Sequence, residues 1–373
     1  MVKQKWTQTW CCVFLLILSI FVPVNKAEGN TLPKISAKSA VLMDVLTGDV
    51  LFDKGAYKRN PPASTTKIMT AILGLELGRP DEIVIVSPKA AAVGESTIYL
   101  DPGESLTLYE LMTGALIRSG NDACVAIAEH IAGSEQQFVN LMNRKALALG
   151  AKNTHFTNTN GLPDKNHYST AYDLALMASY GLQIPAFASI TSLKETNIHF
   201  LKPDFFMNLR NTNKLLWNYP FADGVKTGTT NAAGKCLVAS ATKEGRQLVA
   251  TVLNAPDRFG DAQKLLEWGF ANTEIINIAG AGDVVAEFPL QNSPPVKAFI
   301  NCPLKISIQK SSRDNIETRI LWERDQSLPI KAGEKLGSYQ IWFADRKIMS
   351  IPLLSEQEVK DRKICLPFIN RRD

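Results

Sequence analysis

Ser64-Thr65-Thr66-Lys67, Ser119-Gly120-Asn121 and Lys226-Thr227-Gly228 follow one another along the chain and together hold the residue types of a serine acyl-transfer site. A hydroxyl is a poor nucleophile at neutral pH unless a base lies within hydrogen-bond reach, and a lysine three residues after a serine shares its face of a helical turn. Nucleophile and base then come from one segment, and the two later motifs bring partners for the lysine. Two further S-x-x-K matches, Ser240 with Lys243 and Ser307 with Lys310, fall in or at the end of predicted strands, where residues three apart face opposite sides. The S-x-N and K-T-G motifs occur once each. Glycine at 228 suits a strand whose backbone must lie close to a ligand. Taken alone, 119–122 also reads as a helix cap. His130, His155, His167 and His199 have neither nucleophile-elbow nor metal-ligand spacing, so they read as structural, and neither a metal nor a cofactor is expected.

These side chains need elements that carry them to one place. Residues 39–45 and 49–52 alternate around Thr47-Gly48 and predict a β-hairpin, after which Pro61-Pro62 stop regular structure. From Ser64 the spacing becomes helical, with Ile68, Met69, Ile72, Leu73 and Leu75 on a broad apolar face that ends at Gly78. A second helical stretch, 107–117, stops at Ser119-Gly120-Asn121 and resumes through Cys124, Ile127, Ala128 and Ile131 to Gly133. The break sets polar side chains between two helices. Ser134 caps a third helix that Gly150 closes, an Asn- and Thr-rich loop covers 152–169, and 172–180 is helical again. Three strands over 225–229, 236–241 and 248–253 form an antiparallel meander, against which a helix over 261–270 packs. The expected fold class is therefore α+β, an antiparallel sheet flanked by helices with an inserted helical subdomain. Beyond 276 the helical pattern gives way to short alternating runs (284–288, 304–308, 318–322, 339–343), which predict a small C-terminal all-β sandwich. The expected organisation is a catalytic domain over 30–275, the β domain over 276–356 and a short charged tail over 357–373.

Residues 1–29 carry Lys3 and Lys5, an apolar run from Trp10 to Val24, and small residues at Ala27 and Gly29, the pattern of an export signal cleaved near one of those two. The alternative is an uncleaved anchor, but roughly 15 apolar residues fall short of the about 20 that span hydrocarbon. Removing Lys3, Lys5 and Lys26 lowers the 41 basic residues to 38 against 36 acidic ones, so the formal charge falls from +5 to +2 if Glu28 stays. That balance argues against a nucleic-acid partner. Cys11 and Cys12 lie in the leader, and Cys124, Cys236, Cys302 and Cys365 are widely spaced, without the C-x-x-C of a zinc or redox site. Cys124 on an apolar helix and Cys236 in an apolar strand read as buried free thiols.

The three motifs, with Pro61-Pro62-Ala63 before the first, Asp122-Ala123 after the second, the Asn160-Gly161-Leu162 and His167-Tyr168-Ser169-Thr170 loop, and Asp223-Gly224-Val225 before the third, resemble the D-alanyl-D-alanine carboxypeptidases among the low-molecular-mass penicillin-binding proteins. The resemblance covers nearly all of the exported chain and implies the β-lactamase/transpeptidase-like variant of the α+β fold. It implies that Ser64 attacks the carbonyl between two D-alanines of a peptidoglycan stem pentapeptide while Lys67, neutral in a desolvated and cation-rich pocket, takes the proton. Lys226 supplies the second cation, Ser119 relays a proton to the leaving amine, and Asn121 holds the substrate amide and Lys67. Backbone N–H groups of Ser64 and Thr229 match an oxyanion hole. Thr227 and Arg258 bind the terminal carboxylate, although Arg258 also reads as an exposed loop cation. Asp173, Tyr168 and the 152–169 loop either line the cleft or serve in capping and packing. β-Lactam antibiotics are implied as covalent inhibitors. Two rivals remain at this point: a class A-like β-lactamase, for which none of Glu129, Glu135 and Glu195 stands in the E-x-x-L-N context, and a non-catalytic β-lactam or peptidoglycan sensor. Many relatives end in a long amphipathic helix; here the tail is short, charged and interrupted by Pro367, so weak or no membrane anchoring is expected.

Overall fold

The computed structural model describes residues 31–291 and 293–360, so the leader expected at 1–29 with Cys11 and Cys12, and the tail beyond 360 with Cys365, lie outside the described residues. The first hairpin is present: β1 (Ser39–Asp44) and β2 (Val50–Lys54) pair antiparallel around Gly48, whose φ of 74° suits a residue without a Cβ. A tight 3-10 turn, Ala63–Thr66, leads into α1 (Lys67–Leu77). Thr65 Oγ1 donates to the Pro62 carbonyl (2.7 Å) and Thr66 Oγ1 to the Ala63 carbonyl (2.8 Å), which fixes the turn before the helix begins. The first eight residues of α1 are buried, as its broad apolar face requires.

The chain then builds a helical region. β3 (Ile83–Ile85), α2 (Pro88–Ala91) and β4 (Ser105–Thr107) precede α3 (Leu108–Thr113), which opens on a capping box between Thr107 and Glu110. α4 (Asn121–Ala132) ends at Gly133, α5 (Glu135–Ala148) is capped by Ser134, and α6 (Ala171–Leu182) by Thr170. α7 (Pro185–Ser192) leads to β5 (Glu195–Lys202) and β6 (Phe205–Arg210), which join β3 and β4 in a four-stranded sheet that the sequence analysis does not anticipate. No single helix among the described residues is long and apolar enough to cross a membrane.

After α8 (Leu215–Asn218) comes the expected meander, β7 (Ala222–Thr230), β8 (Gly234–Lys243) and β9 (Arg246–Leu253), and then α9 (Arg258–Asn272). The hairpin extends this sheet through β1 against β9, giving the antiparallel order β2-β1-β9-β8-β7. Alternation sorts the sheet's two faces: Ala40, Leu42, Leu237, Ala239, Leu248 and Ala250 pack with Leu265, Leu266 and Trp268 of α9, whereas Val41, Met43, Cys236 and Val238 pack against the helical region. Each large side chain fully buried this way contributes about 1.5–3 kcal/mol. β7 is left as the terminal strand, facing the turn that holds Ser64.

β10 (Thr273–Ala279) follows α9 directly. Together with β11 (Val284–Leu290), β12 (Ser293–Phe299), β13 (Leu304–Gln309), β14 (Ile316–Trp322), β15 (Lys335–Phe343) and β16 (Arg346–Ser355) it forms the C-terminal all-β region. A two-stranded β10-β13 sheet and a five-stranded β11-β12-β16-β15-β14 sheet enclose a core that includes Phe288, Val296, Ile306, Ile341 and Leu353. At its junction with the first sheet, Arg246 Nε meets Asp44 Oδ2 (2.8 Å), Ser307 Oγ donates to the same oxygen (3.1 Å), and the Ser307 N–H donates to Asp49 (2.6 Å).

Candidate active site

The turn before α1, the break before α4 and the 152–169 loop meet at one amine. Lys67 Nζ lies 2.9 Å from Ser64 Oγ, 2.7 Å from Asn121 Oδ1 and 2.8 Å from the carbonyl oxygen of Asn160. Lys67 is fully buried and Ser64 partly so. Burial pushes the Lys67 ammonium down to about 8, against the opposing pull of Cys124, Asp122 and Glu95. Lys226, also buried, is held well below its ordinary range first by burial and then by the charge of Lys67. Desolvation is thus the larger influence on both amines, ahead of the second cation that the resemblance brings forward.

Two of the three neighbours of Lys67 Nζ are amide oxygens, which only accept. A neutral amine keeps two N–H donors and one lone pair. With the donors committed to Asn121 Oδ1 and Asn160 O, the lone pair is left for the Ser64 hydroxyl. Asn160 is a partner that the sequence analysis does not assign. Its contribution is a backbone carbonyl, which has no side-chain signature, although the Asn160-Gly161-Leu162 segment itself stood out in the sequence.

Local backbone explains how these groups are held. A widened turn of π type, Gly114–Arg118, ends at Ser119 in the left-handed region (φ 72°), an uncommon conformation for a side-chain-bearing residue and one that recurs at functional sites. The loop through Ile98 and Leu100 is pinned against this break by the buried Asp122 carboxylate, which accepts from the N–H groups of Ile98, Leu100 and Ala123. Asn121 Nδ2 donates to the Gly94 carbonyl (2.9 Å), fixing which end of the amide faces Lys67. On the loop side, Gly161 has φ 90°, and a Cβ there would lie 1.9 Å from the Ala63 carbonyl oxygen, so only glycine lets this loop close over the turn. His167 Nδ1 accepts from the Thr157 N–H (3.1 Å), which leaves the proton on Nε2 to bridge to Thr66 Oγ1 (2.8 Å). Burial lowers this imidazole to about 4, so it stands neutral behind the serine turn. Asp173 caps the loop start by accepting from the Asn153 N–H and the Thr154 hydroxyl, both at 2.8 Å.

β7 forms the opposite wall. At Gly228 a Cβ would lie 3.0 Å from the Ser64 nitrogen and 3.1 Å from the Pro62 oxygen. The close approach expected at this glycine is therefore made by the backbone that carries Ser64. Thr229 is exposed beside it. Arg258, at the start of α9, is half-buried rather than a free loop cation: its Nη1 donates to the Gly228 carbonyl (2.9 Å) and Thr229 Oγ1 (2.8 Å). Thr227 Oγ1 shares a 2.6 Å hydrogen bond with Thr212 Oγ1. Lys226 Nζ donates to the Thr227 carbonyl (3.2 Å), and among the described residues no hydrogen bond joins it to Ser119. The discounted serines are occupied elsewhere, Ser240 with Asp223 and Ser307 at the Asp44 junction. Of the glutamates weighed for β-lactam hydrolysis, Glu129 is bonded to Ser87, Glu135 to Thr159 and Glu195 to Arg210.

Comparison with known proteins gives a consistent picture. A family model described as D-alanyl-D-alanine carboxypeptidase matches residues 26–257, and one described as penicillin-binding protein 5, C-terminal domain, matches residues 274–361. The D-alanyl-D-alanine carboxypeptidase DacF of Bacillus subtilis is 36% identical over 362 residues, covering 92% of each chain. Among solved structures, penicillin binding protein 5 from Haemophilus influenzae aligns with a TM-score of 0.78 at 32% identity, covering 89% of this chain and 99% of that one. The Streptomyces K15 DD-transpeptidase aligns with a TM-score of 0.62 at 33% identity over 65% of this chain and 99% of its own.

Proposed function

The chain belongs to the D-alanyl-D-alanine carboxypeptidase family, and from that premise we propose that it removes the terminal D-alanine of peptidoglycan stem pentapeptides through an acyl-enzyme on Ser64. One observation carries the assignment: the buried Lys67 amine, with both donors engaged by Asn121 and Asn160, directs its remaining position at Ser64 Oγ. Ser64 Oγ attacks the carbonyl between the two D-alanines as its proton passes to Lys67. The developing oxyanion is received by the N–H groups of Ser64 and Thr229, which stand on facing backbones because residue 228 has no Cβ. Ser119, two residues before Asn121, gives its hydroxyl proton to the leaving amine and is reprotonated with the proton that Lys67 took from Ser64, so the terminal D-alanine departs as an amine and Lys67 is neutral again. Water then attacks the acyl-enzyme, with Lys67 again taking a proton and Ser64 regaining one.

The terminal carboxylate is held by Thr227 and by Arg258, whose buried Nε has no hydrogen-bond partner among the described residues. Asn121 has one amide N–H left for the substrate after its bond to Gly94. A β-lactam acylates Ser64 by the same attack. The measurement is release of D-alanine from a pentapeptide beside intact-protein mass after benzylpenicillin. The adduct maps to the Ser64 peptide, and Ser64→Ala loses both activities, turnover falling by at least about 10³-fold. Adduct formation without D-alanine release would favour a sensor. The site of action lies outside the cytoplasm, where stem peptides are found; recovery of the mature protein only in the cytoplasmic fraction would overturn that expectation.

A further inference from the structure

Beside the reacting centre, a cavity of about 510 Å³ opens between the segment leading into Ser64 and the 152–169 loop; Arg59, Pro62, Asp164, Lys165, Tyr168 and Thr230 line it. Its place relative to a substrate follows from strand pairing. β7 ends the five-stranded sheet, so an extended peptide can add to it through backbone hydrogen bonds. With the Thr229 N–H as oxyanion donor, a premise taken from the proposed function, the residue whose carbonyl is attacked pairs with Thr229. In an antiparallel ladder the terminal D-alanine then lies towards Thr227, and the third residue of the stem lies towards Thr230. One residue advances about 3.3 Å along a strand, which brings the third residue's side chain to the cavity mouth that Thr230 and Ala232 border.

The lining has a distinct charge pattern. Arg59 is stacked over the Tyr168 ring (4.5 Å to its centroid) and donates to Asn153 Oδ1 (3.2 Å), so its guanidinium is oriented while most of its five donors remain uncommitted. Lys165 adds a second cation, and Asp164, held in its turn by the Asn166 N–H (2.7 Å), adds one carboxylate. A side chain ending in an ammonium alone meets an excess of like charge here. One ending in both ammonium and carboxylate can set the first against Asp164 and the second against Arg59 and Lys165. We propose that this cavity is the subsite for the third stem residue and that it selects a diamino acid bearing a terminal carboxylate, as in diaminopimelate, over lysine.

The test compares D-alanine release by the purified protein from two pentapeptides that differ only in lysine or meso-diaminopimelate at the third position. The expected kcat/KM is about tenfold higher for the diaminopimelate peptide, the size of one charge-assisted pair. That ratio falls to within about twofold of unity in Arg59→Gln/Lys165→Gln and is partly kept in Arg59→Lys, with thermal unfolding confirming that each variant folds. Should the double variant not fold, Lys165→Gln alone, at an exposed position, must lower the ratio. Equal kcat/KM for both peptides, or a preference that survives these substitutions, overturns the subsite and leaves the carboxypeptidase reading standing. No release from either peptide defeats that reading and the inference with it.

Discussion

At the scale of single residues, the proposed chemistry turns on the proton of Lys67. Only the neutral amine can accept from Ser64, and the ammonium titrates near 8 because burial disfavours its charge. Below that value the competent fraction falls about tenfold per pH unit. The second-order rate of acylation by benzylpenicillin, followed by stopped-flow fluorescence, is therefore expected to climb about tenfold from pH 6 to pH 7 and to level off above pH 8. A flat profile over that range would contradict the assignment of Lys67 as base. Ser64, Lys67, Ser119, Asn121 and Lys226 could be picked out in the sequence because the proposed chemistry needs those side-chain types and their motif spacing is restrictive; the structure joins Ser64 and Asn121 directly to Lys67. The Asn160 carbonyl was not, since any residue could supply it and only the loop's path reveals which one does.

Secondary-structure elements hold that pair in register, and the serine turn is the one under most constraint. Ala63 sits at φ 48°, and the turn is tied from below through Thr66 to a neutral, buried His167. The imidazole binds a proton near 6.5 when unfolded but only near 4 when folded. Between those values the unfolded chain holds more protons, so this contribution to stability is complete above pH 6.5 and is lost as pH falls towards 4, up to about 3 kcal/mol in all. Unfolding midpoints of His167→Gln and the unaltered protein, compared at pH 7 and pH 4.5, should differ less at the lower pH; an unchanged difference would remove this account. The helices around the turn were readable from apolar periodicity and from the Ser134 cap. The sheet β3-β4-β5-β6 was not, because β3 and β4 have three residues each, too few to show a period, and their partners lie far along the chain. β12 was hidden by Pro294 and Pro295. It keeps them because β16 pairs with it only at Ala298 and Phe299, past the prolines.

Across the whole molecule, the alternation of β1, β8 and β9 and the position of α9 follow from the sequence, whereas the fastening of the C-terminal strands to the first sheet depends on polar groups far apart in it. Asp44 is completely buried and is compensated by Arg246 and Ser307, while Arg246 also donates to the Thr273 carbonyl (2.9 Å) at the start of β10. One guanidinium at the start of β9 thus answers both a carboxylate of the hairpin and the first strand of the β region. Removing it strands a desolvated charge, which costs about 3–5 kcal/mol, whereas losing the Ser307 hydroxyl removes one of several partners and costs about 1 kcal/mol. Arg246→Ala should therefore lower the unfolding free energy several times more than Ser307→Ala. Because both act on Asp44, the double variant should fall short of the sum of the singles. The hydrogen bonds of both side chains go to Asp44, Thr273, Glu274 and each other rather than to the site around Ser64, so penicillin acylation measured well below the unfolding midpoint should stay within about twofold of the unaltered rate. Strict additivity in the cycle would mean that Asp44 is not shared, and a large loss of acylation in a folded Arg246→Ala protein would mean that the β region reaches the reacting centre through the sheet.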